Sequence, residues 1–134
     1  MLITKRVEFS ASHVCRNPAL SDRENEALFG MAANPHGHGH NYVVDVTLAG
    51  EPDPVTGMVM DLKRVKEVVN REVLERYDHR FLNHEVPPFD QIVPTPENIA
   101  VDIWRRLQPH LTSLHAVRVY ETDDLFVDYF GEPA

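Results

Sequence analysis

The sequence predicts an α+β domain built on an antiparallel sheet. Three observations support this fold class: alternating apolar and polar residues near the N-terminus, two amphipathic segments of helical period in the second half, and two short alternating segments at the end. The resulting order is strand, strand, helix, helix, strand, strand, which is typical of α+β domains. The chain has 134 residues without an internal repeat or a linker, so residues 1–134 are expected to form one domain.

The first half of the chain contains two predicted strands. Apolar and polar side chains alternate in residues 2–10, which is the period of a half-buried strand. Residues 38–48 repeat this pattern. The polar residues 16–34 between them predict a long loop with a short helical piece over residues 24–28, and loops of this length in compact domains are usually functional.

Two helices are predicted next. Asp61 is a suitable N-cap, and the apolar residues after it recur at helical spacing as far as Tyr77. The second helix is predicted to begin at Thr95, a favoured N-cap residue, with Pro96 at the first helical position, where proline is also favoured. Glu97 lies where the helix dipole favours a negative charge.

The last two predicted strands are residues 116–121 and 125–130, joined by the polar turn Thr122–Asp124. Residues 50–57 contain two prolines and a glycine, which indicates a turn. The proline-rich residues 86–96 are expected to be a loop. Four strands and two helices therefore account for most of the chain.

Charge and cysteine content restrict the class of protein. The net charge of −8 gives no support for a nucleic-acid or anionic-membrane partner. Cys15 is the only cysteine, which excludes an intrachain disulfide and is typical of a reducing compartment. The N-terminus lacks the pattern of a signal peptide, and no apolar run reaches the length of a membrane span. We therefore expect a cytoplasmic protein.

Three of the eight histidines, His36, His38 and His40, alternate with glycine. In an extended segment, residues two apart project from the same face, so any such pair can share one metal ion. Neutral imidazole is a good zinc ligand, and a catalytic zinc uses three protein ligands and one open position. His13, just after the first strand, is a candidate third ligand. The residues alone leave open which pair binds, and whether the tract is instead a metal-free surface loop.

The sequence around these histidines resembles the family of 6-pyruvoyl tetrahydropterin and 6-carboxy-tetrahydropterin synthases. The two most specific matches are Phe9-Ser10-Ala11-Ser12-His13 and Gly37-His38-Gly39-His40-Asn41-Tyr42. Shorter matches follow in the same order along the chain at Leu28-Phe29-Gly30, Asn34-Pro35, Thr56-Gly57-Met58-Val59-Met60, Asp78-His79, Glu97-Asn98 and Val119-Tyr120-Glu121-Thr122-Asp123. The resemblance implies that Zn²⁺ is bound by His13, His38 and His40, with His36 outside the ligand set.

The resemblance also implies a fold and an assembly. The expected fold is the tunnelling fold, a four-stranded antiparallel sheet with two helices packed on one face. Three subunits would close their sheets into a barrel and two barrels would stack, giving a trimer or a hexamer with active sites at the subunit interfaces. Such a homo-oligomer would pair the sheet edges that a single subunit leaves open.

The site residues of the family correspond to particular residues of this chain. Glu121 would anchor a pterin substrate, since a carboxylate can accept two parallel hydrogen bonds from adjacent N–H groups. Glu97 and Thr95 would support substrate binding, although Glu97 also suits a helix N-terminus. Asp78 and His79 would form a catalytic proton relay, for which the near-neutral pKa of histidine is suitable.

One family feature is missing. Synthases of the pyruvoyl type carry a cysteine six positions before His38, and carboxy-type synthases carry it four positions before; these positions are Ala32 and Asn34 here. No carboxylate occurs in residues 31–36, where a variant branch of the family uses Glu. The thiolate is the presumed base of the family. The remaining candidates are His79 and Cys15, although a lone Cys is commonly just a packed side chain.

The activity implied by the resemblance belongs to tetrahydrobiopterin biosynthesis. Zinc would polarise the side-chain hydroxyls of 7,8-dihydroneopterin triphosphate, and the reaction would release triphosphate. Arg16 and Lys63 are candidates to bind the triphosphate group of the substrate. Three alternatives remain open: retro-aldol cleavage to 6-hydroxymethyl-dihydropterin, the 6-carboxy-tetrahydropterin synthase reaction, and a non-catalytic zinc- and pterin-binding protein.

Overall fold

One sheet, five α-helices, a 3₁₀ turn and a π-helical turn form the fold of residues 1–132, which are the residues described by this computed structural model. In chain order the elements are β1 (Leu2–His13), α1 (Asp22–Phe29), a 3₁₀ turn (Gly30–Ala33), β2 (His38–Ala49), α2 (Leu62–Val69), a π-helical turn (Asn70–Leu74), α3 (Glu75–Tyr77), β3 (Arg80–Phe81), α4 (Leu82–Glu85), α5 (Pro96–Leu107), β4 (Leu114–Thr122) and β5 (Leu125–Tyr129). The predicted α+β class is confirmed.

The sheet has five strands in the order β3-β1-β2-β4-β5 and is mixed. The prediction of a purely antiparallel sheet of four strands is therefore wrong. The four predicted strands pair antiparallel with their neighbours, but β3 adds to the outer edge of β1 in parallel, opposite Ala11 and Ser12. A strand of two residues contains too few positions to show a period of two, so the sequence gives no sign of it.

The two predicted helix starts agree with the structure, and each is fixed by an N-cap hydrogen bond. The carboxylate of Asp61 accepts from the backbone N–H of Lys63 (3.0 Å), and the hydroxyl of Thr95 accepts from the backbone N–H of Asn98 (3.3 Å). The helix predicted after Asp61 does reach Tyr77, but a π-helical turn interrupts it at Asn70–Leu74. Val73 within that turn and Tyr77 after it are both buried in the core.

The helices cover one face of the sheet, where the core lies. Phe9 and Tyr42 are buried and stack with ring centroids 5.2 Å apart. The opposite face is polar, with bidentate ion pairs between Arg6 and Asp45 and between Arg118 and Asp128. The β1–β2 ladder runs without a bulge from its first residue pair to its last, so alternate residues stay on the core face to the end of both strands. In residues 1–132 no helix combines the length and apolar character needed to span a bilayer.

Candidate metal centre and active site

Three of the predicted metal ligands come together where β1 ends and β2 begins. His13 lies opposite His38, and Ala11 lies opposite His40, so all three imidazoles project from the core face of adjacent strands. Their ligand nitrogens lie within 4.8 Å of one another. This spacing suits three ligands of one ion, since zinc–nitrogen bonds of about 2.0–2.1 Å place tetrahedral ligands a little over 3 Å apart.

Close contacts, and at Gly37 a positive φ, favour glycine at both positions between the histidines. A Cβ atom on Gly39 would lie 3.2 Å from the carbonyl oxygen of Ala11 on the neighbouring strand. Gly37 has a φ of +76°, which disfavours other residues, and a Cβ atom there would lie 3.1 Å from the ring of Phe81. The alternation of His with Gly thus permits β2 to lie close against β1 at the site.

The ring of His13 is held in one orientation by a backbone group. His13 is fully buried, and its Nδ1 lies 2.7 Å from the carbonyl oxygen of Pro94. A carbonyl only accepts, so Nδ1–H is the donor and the lone pair of Nε2 faces the other two histidines. Burial, aided by His38 and His40, lowers the pKa of His13 to about 4. The imidazole is therefore neutral at pH 7, as a metal ligand must be.

His40 provides a second candidate metal-binding nitrogen. Its Nε2 is buried and has no hydrogen-bond partner among residues 1–132. Burial and the neighbouring His38 lower the pKa of His40, although Glu121 opposes them. A buried nitrogen without a hydrogen-bond partner is unfavourable unless a bound group, such as a metal ion, contacts it. A cation bound by three neutral imidazoles fits this donor set, and Zn²⁺ is a metal that accepts it.

A carboxylate lies beside the cluster. Glu121 Oε1 is 3.8 Å from His40 Nε2, and its side chain is 18% exposed. The structure thus places the predicted pterin anchor at the edge of the predicted metal site. Glu97 is exposed at the start of α5 and lies close enough to Cys15 for its charge to raise the pKa of the thiol.

The lone thiol lies in the same region. Burial raises the pKa of Cys15 to about 11, with further contributions from the charges of Glu121 and Glu97. Its backbone N–H donates to the carbonyl oxygen of Ala32 (2.9 Å), which lies in the 3₁₀ turn of the long loop. Cys15 therefore contacts Ala32, the residue at which the resemblance led us to expect a cysteine, and the thiol of Cys15 is protonated at neutral pH.

Asp78 and His79 are anchored on the other side of β1. Asp78 Oδ1 accepts from the backbone N–H of Ser10 (3.0 Å) and lies 2.9 Å from His79 Nδ1. These hydrogen bonds, first that of Ser10, lower the pKa of Asp78. His79 has a φ of +61°, and its side chain is 82% exposed. Asp78 is thus a fixed carboxylate that contacts Nδ1 of the exposed His79 ring and orients it.

His79 does not contact the histidine cluster within the chain. Ala11 pairs with His40 on one side and with Arg80 on the other, so His40 and Arg80 are separated by two strand spacings, about 10 Å. His40 and His79 do, however, line one groove of about 510 Å³.

The other predicted contact residues are more dispersed. The Thr95 hydroxyl is engaged as the cap of α5. Arg16 pairs with Asp22 (3.0 Å) and lines a second cavity of about 760 Å³ together with His36. His36 thus lies outside the cluster of three histidines. Lys63 is at the start of α2 and lines neither cavity.

Sequence reasoning missed two groups at this site. One is the carbonyl of Pro94, which contacts His13 from a loop 81 residues away. The other is the hydroxyl of Tyr42, which is 3.4 Å from His13 Nδ1. A backbone carbonyl has no sequence signature. Tyr42 ends the motif Gly37–Tyr42, but its place in the strand alternation predicts only a core residue.

Comparison with known proteins gives the same family from sequence and from structure. The family model described as 6-pyruvoyl tetrahydropterin synthase matches residues 2–132. The 6-pyruvoyl tetrahydrobiopterin synthase of Homo sapiens is 48% identical over 132 residues, covering 97% of this chain and 91% of that protein. A putative 6-carboxy-5,6,7,8-tetrahydropterin synthase of Archaeoglobus fulgidus is 36% identical over 91 residues, covering 68% of this chain and 73% of its own.

Solved structures extend the agreement to the fold. The 6-pyruvoyl tetrahydropterin synthase of Caenorhabditis elegans superposes with a TM-score of 0.95 at 38% identity, covering 98% of this chain and 96% of that chain. The enzyme of Plasmodium vivax, at 17% identity, shares the fold with a TM-score of 0.67 over 96% of this chain and 97% of its own. The chain therefore belongs to the 6-pyruvoyl tetrahydropterin synthase family.

Proposed function

We propose that this protein is a zinc-dependent lyase of tetrahydrobiopterin biosynthesis that converts 7,8-dihydroneopterin triphosphate with loss of triphosphate. The observation that supports this most is the position of Glu121, whose carboxylate lies 3.8 Å from the orphaned nitrogen of His40. A ring-binding carboxylate and a three-histidine cluster thus border the same space. Relatives named as 6-pyruvoyl tetrahydrobiopterin synthases, at 38–48% identity over nearly the whole chain, favour this substrate.

In this proposal His13, His38 and His40 hold Zn²⁺, which supplies Lewis-acid polarisation of the substrate's side-chain hydroxyls when bound. The low pKa of His13 and the lowered pKa of His40 keep these ligands neutral without a metal. Pro94 fixes the tautomer of His13. The site is thus organised for a cation before one arrives, which reduces the reorganisation needed on binding.

Glu121 binds the pterin ring by accepting two parallel N–H hydrogen bonds. Its side chain is 18% exposed, so water competes less for the carboxylate than at an open surface. Glu97 and Thr95 have a supporting role in binding, from the N-terminus of α5.

His79 is the proposed proton-transfer group, oriented by Asp78. Cys15 is the weaker candidate, because a thiol with a pKa of about 11 is protonated at neutral pH. The exposed ring of His79 and its separation from His40 favour a role at the far side of the substrate or in the site of a neighbouring subunit.

The proposal includes a homo-oligomer, a trimer or a dimer of trimers, with active sites at subunit interfaces. The sheet ends in the edge strands β3 and β5, and β5 exposes Leu125 (48%) and Phe126 (44%). An edge strand with exposed apolar residues is a surface that proteins normally cover.

The test is incubation of zinc-loaded protein with 7,8-dihydroneopterin triphosphate, followed by triphosphate release and by the mass of the pterin product. We expect release of triphosphate and a 6-pyruvoyl product, and His40→Ala should abolish both. No turnover, despite tight binding of zinc and pterin, would reject the synthase assignment in favour of a binding protein.

Retro-aldol cleavage is a second candidate, since a protonated Cys15 beside Ala32 leaves the site without the thiolate on which the family reaction is thought to depend. A 6-hydroxymethyl-dihydropterin product in the same assay would establish it. A 6-carboxy product would establish the carboxy-type reaction instead.

A further inference from the structure

A compact turn precedes α5 and is held by Asn98. The Asn98 side-chain amide donates to the carbonyl oxygen of Val93 (2.8 Å), and the same oxygen accepts from the backbone N–H of Thr95 (2.8 Å). The hydrogen bond from Thr95 to Val93 closes a three-residue turn centred on Pro94, a type of turn compatible with the fixed φ of proline. Asn98 itself is fixed, because its backbone N–H donates to the Thr95 hydroxyl.

The direction of the Pro94 carbonyl follows from this turn. The carbonyl of Pro94 and the N–H of Thr95 belong to one planar trans peptide unit, so they point in opposite directions. The N–H of Thr95 points to Val93, and the carbonyl of Pro94 therefore points away from it, to His13 Nδ1 at 2.7 Å. A rotation of this peptide would break both hydrogen bonds at once.

We infer that Asn98 is a positioning residue for His13. By holding Val93, its side-chain amide fixes the Pro94–Thr95 peptide, which keeps the proton of His13 on Nδ1 and the lone pair of Nε2 directed into the three-histidine cluster. This inference rests on the proposed metal site. The proton would otherwise be free to move to Nε2, where it blocks the metal-facing lone pair.

The expected effect is on metal affinity and on the tautomer of His13. Loss of a group that orients a metal-bound histidine typically costs about 10–100-fold in affinity. We therefore expect Asn98→Ala to bind Zn²⁺ about 10–100-fold more weakly, measured by competition with a chromophoric chelator. Asn98→Asp keeps the shape and a favourable charge at the helix N-terminus but lacks the donor, so it should fold and show the same defect.

A matched control separates this effect from loss of a helix cap. Asp61→Ala removes the N-cap of α2, which has no link to His13, and should leave zinc affinity within twofold of the wild type. Asn98→Gln keeps an amide donor on a longer side chain and should recover part of the affinity. Thermal unfolding of each variant verifies that the folded state is the one measured.

The second readout needs no metal and no turnover. In the metal-free wild type, two-bond ¹H–¹⁵N NMR spectra of the histidine rings should show His13 as the Nδ1–H tautomer alone. In Asn98→Ala and Asn98→Asp a mixture of tautomers should appear. Wild-type zinc affinity together with an unchanged His13 spectrum in both variants would overturn the inference. If the wild type itself fails to bind Zn²⁺, the metal proposal fails, while the tautomer measurement still decides the role of Asn98.

Discussion

The backbone N–H of Cys15 donates to the carbonyl oxygen of Ala32 over 2.9 Å. This hydrogen bond ties the 3₁₀ turn of the long loop to the chain just after His13. The backbone of Cys15, which carries the one thiol of the protein, therefore contacts Ala32, the residue at which the resemblance led us to expect the family cysteine. Whether that thiol reacts depends on its pKa.

Cys15 should be a slow nucleophile in the metal-free protein. Burial and the carboxylates of Glu121 and Glu97 raise its pKa to about 11. Near pH 8 the thiolate fraction is then on the order of 100-fold below that of a free cysteine. Iodoacetamide alkylation followed by mass spectrometry should be slow at pH 8 and still rise above pH 10. In Glu121→Gln the apparent pKa should fall, and a rate that levels off near pH 8.5 in the wild type would contradict the prediction.

A thiol placed at residue 32 should increase turnover. We expect Ala32→Cys in a Cys15→Ala background to convert 7,8-dihydroneopterin triphosphate at least about tenfold faster than the wild type, because a positioned general base contributes about 10²–10⁴ in rate. Ala32→Ser in the same background is the size-matched control. Equal rates for the Cys and Ser variants would show that the missing thiol does not limit the reaction.

Glu121→Gln should weaken pterin binding and spare the metal. The amide keeps one acceptor but loses the charge, and hydrogen bonds to a charged group contribute about 1.5–3 kcal/mol, which corresponds to about 10–100-fold in Kd. Fluorescence titration with a dihydropterin measures this. Asp123→Asn, on the exposed turn that follows β4, should bind pterin like the wild type. Loss of zinc affinity in Glu121→Gln would instead make the carboxylate part of the metal site.

His79→Asn should lower kcat by about 10²–10⁴ if His79 transfers the proton. Zinc affinity should stay unchanged, because His79 lies on the other side of β1 from His40. The control is His84→Asn, which changes an exposed histidine of the same region whose ring centroid lies 4.6 Å from that of Phe81. A kcat for His79→Asn within a factor of three of the control would exclude His79 as the proton-transfer group.

Stability of the metal-free protein should decrease as the pH falls from about 6.5 to about 4. The pKa of His13 is lowered from 6.5 to about 4 in the folded state. The unfolded chain therefore binds the extra proton in this interval, and the free energy of unfolding decreases with falling pH by up to about 3 kcal/mol. His40, whose pKa is also lowered, acts in the same direction.

Urea unfolding at about pH 7, 5.5 and 4.5 measures this dependence. The lowered pKa of Asp78 acts in the same direction but only below about pH 4, near and under the ordinary carboxyl pKa. His13→Gln should be less stable at pH 7, and its free energy of unfolding should depend less on pH between 6.5 and 5 than that of the wild type, with the remaining dependence due to His40. A wild-type free energy that is flat over that interval would show that His13 titrates normally.

Regular elements were predictable because their signals are local. Asp61 and Thr95 begin helices through hydrogen bonds to residues two and three positions ahead, so the sequence shows the helix starts directly. The alternation in β1 and β2 likewise requires only neighbouring residues. Helix α1 (Asp22–Phe29) is longer than the predicted helical piece over residues 24–28, and its start is marked by a capping box at Ser21 and Glu24. Strand β3 is too short to have a period at all.

The sequence by itself determined that His38 and His40 share a face of a strand, because side chains alternate with a period of two. Residue spacing left open whether His13 or His36 joins them, and the resemblance implied His13. The tertiary structure brings His13 to the pair through the register between β1 and β2, which are 25 residues apart at the site, and leaves His36 in the segment before β2. The same holds for the carbonyl of Pro94 and for the contact of Cys15 with Ala32. Strand register and chain packing bring these groups together, and the spacing of neighbouring residues does not determine either of them.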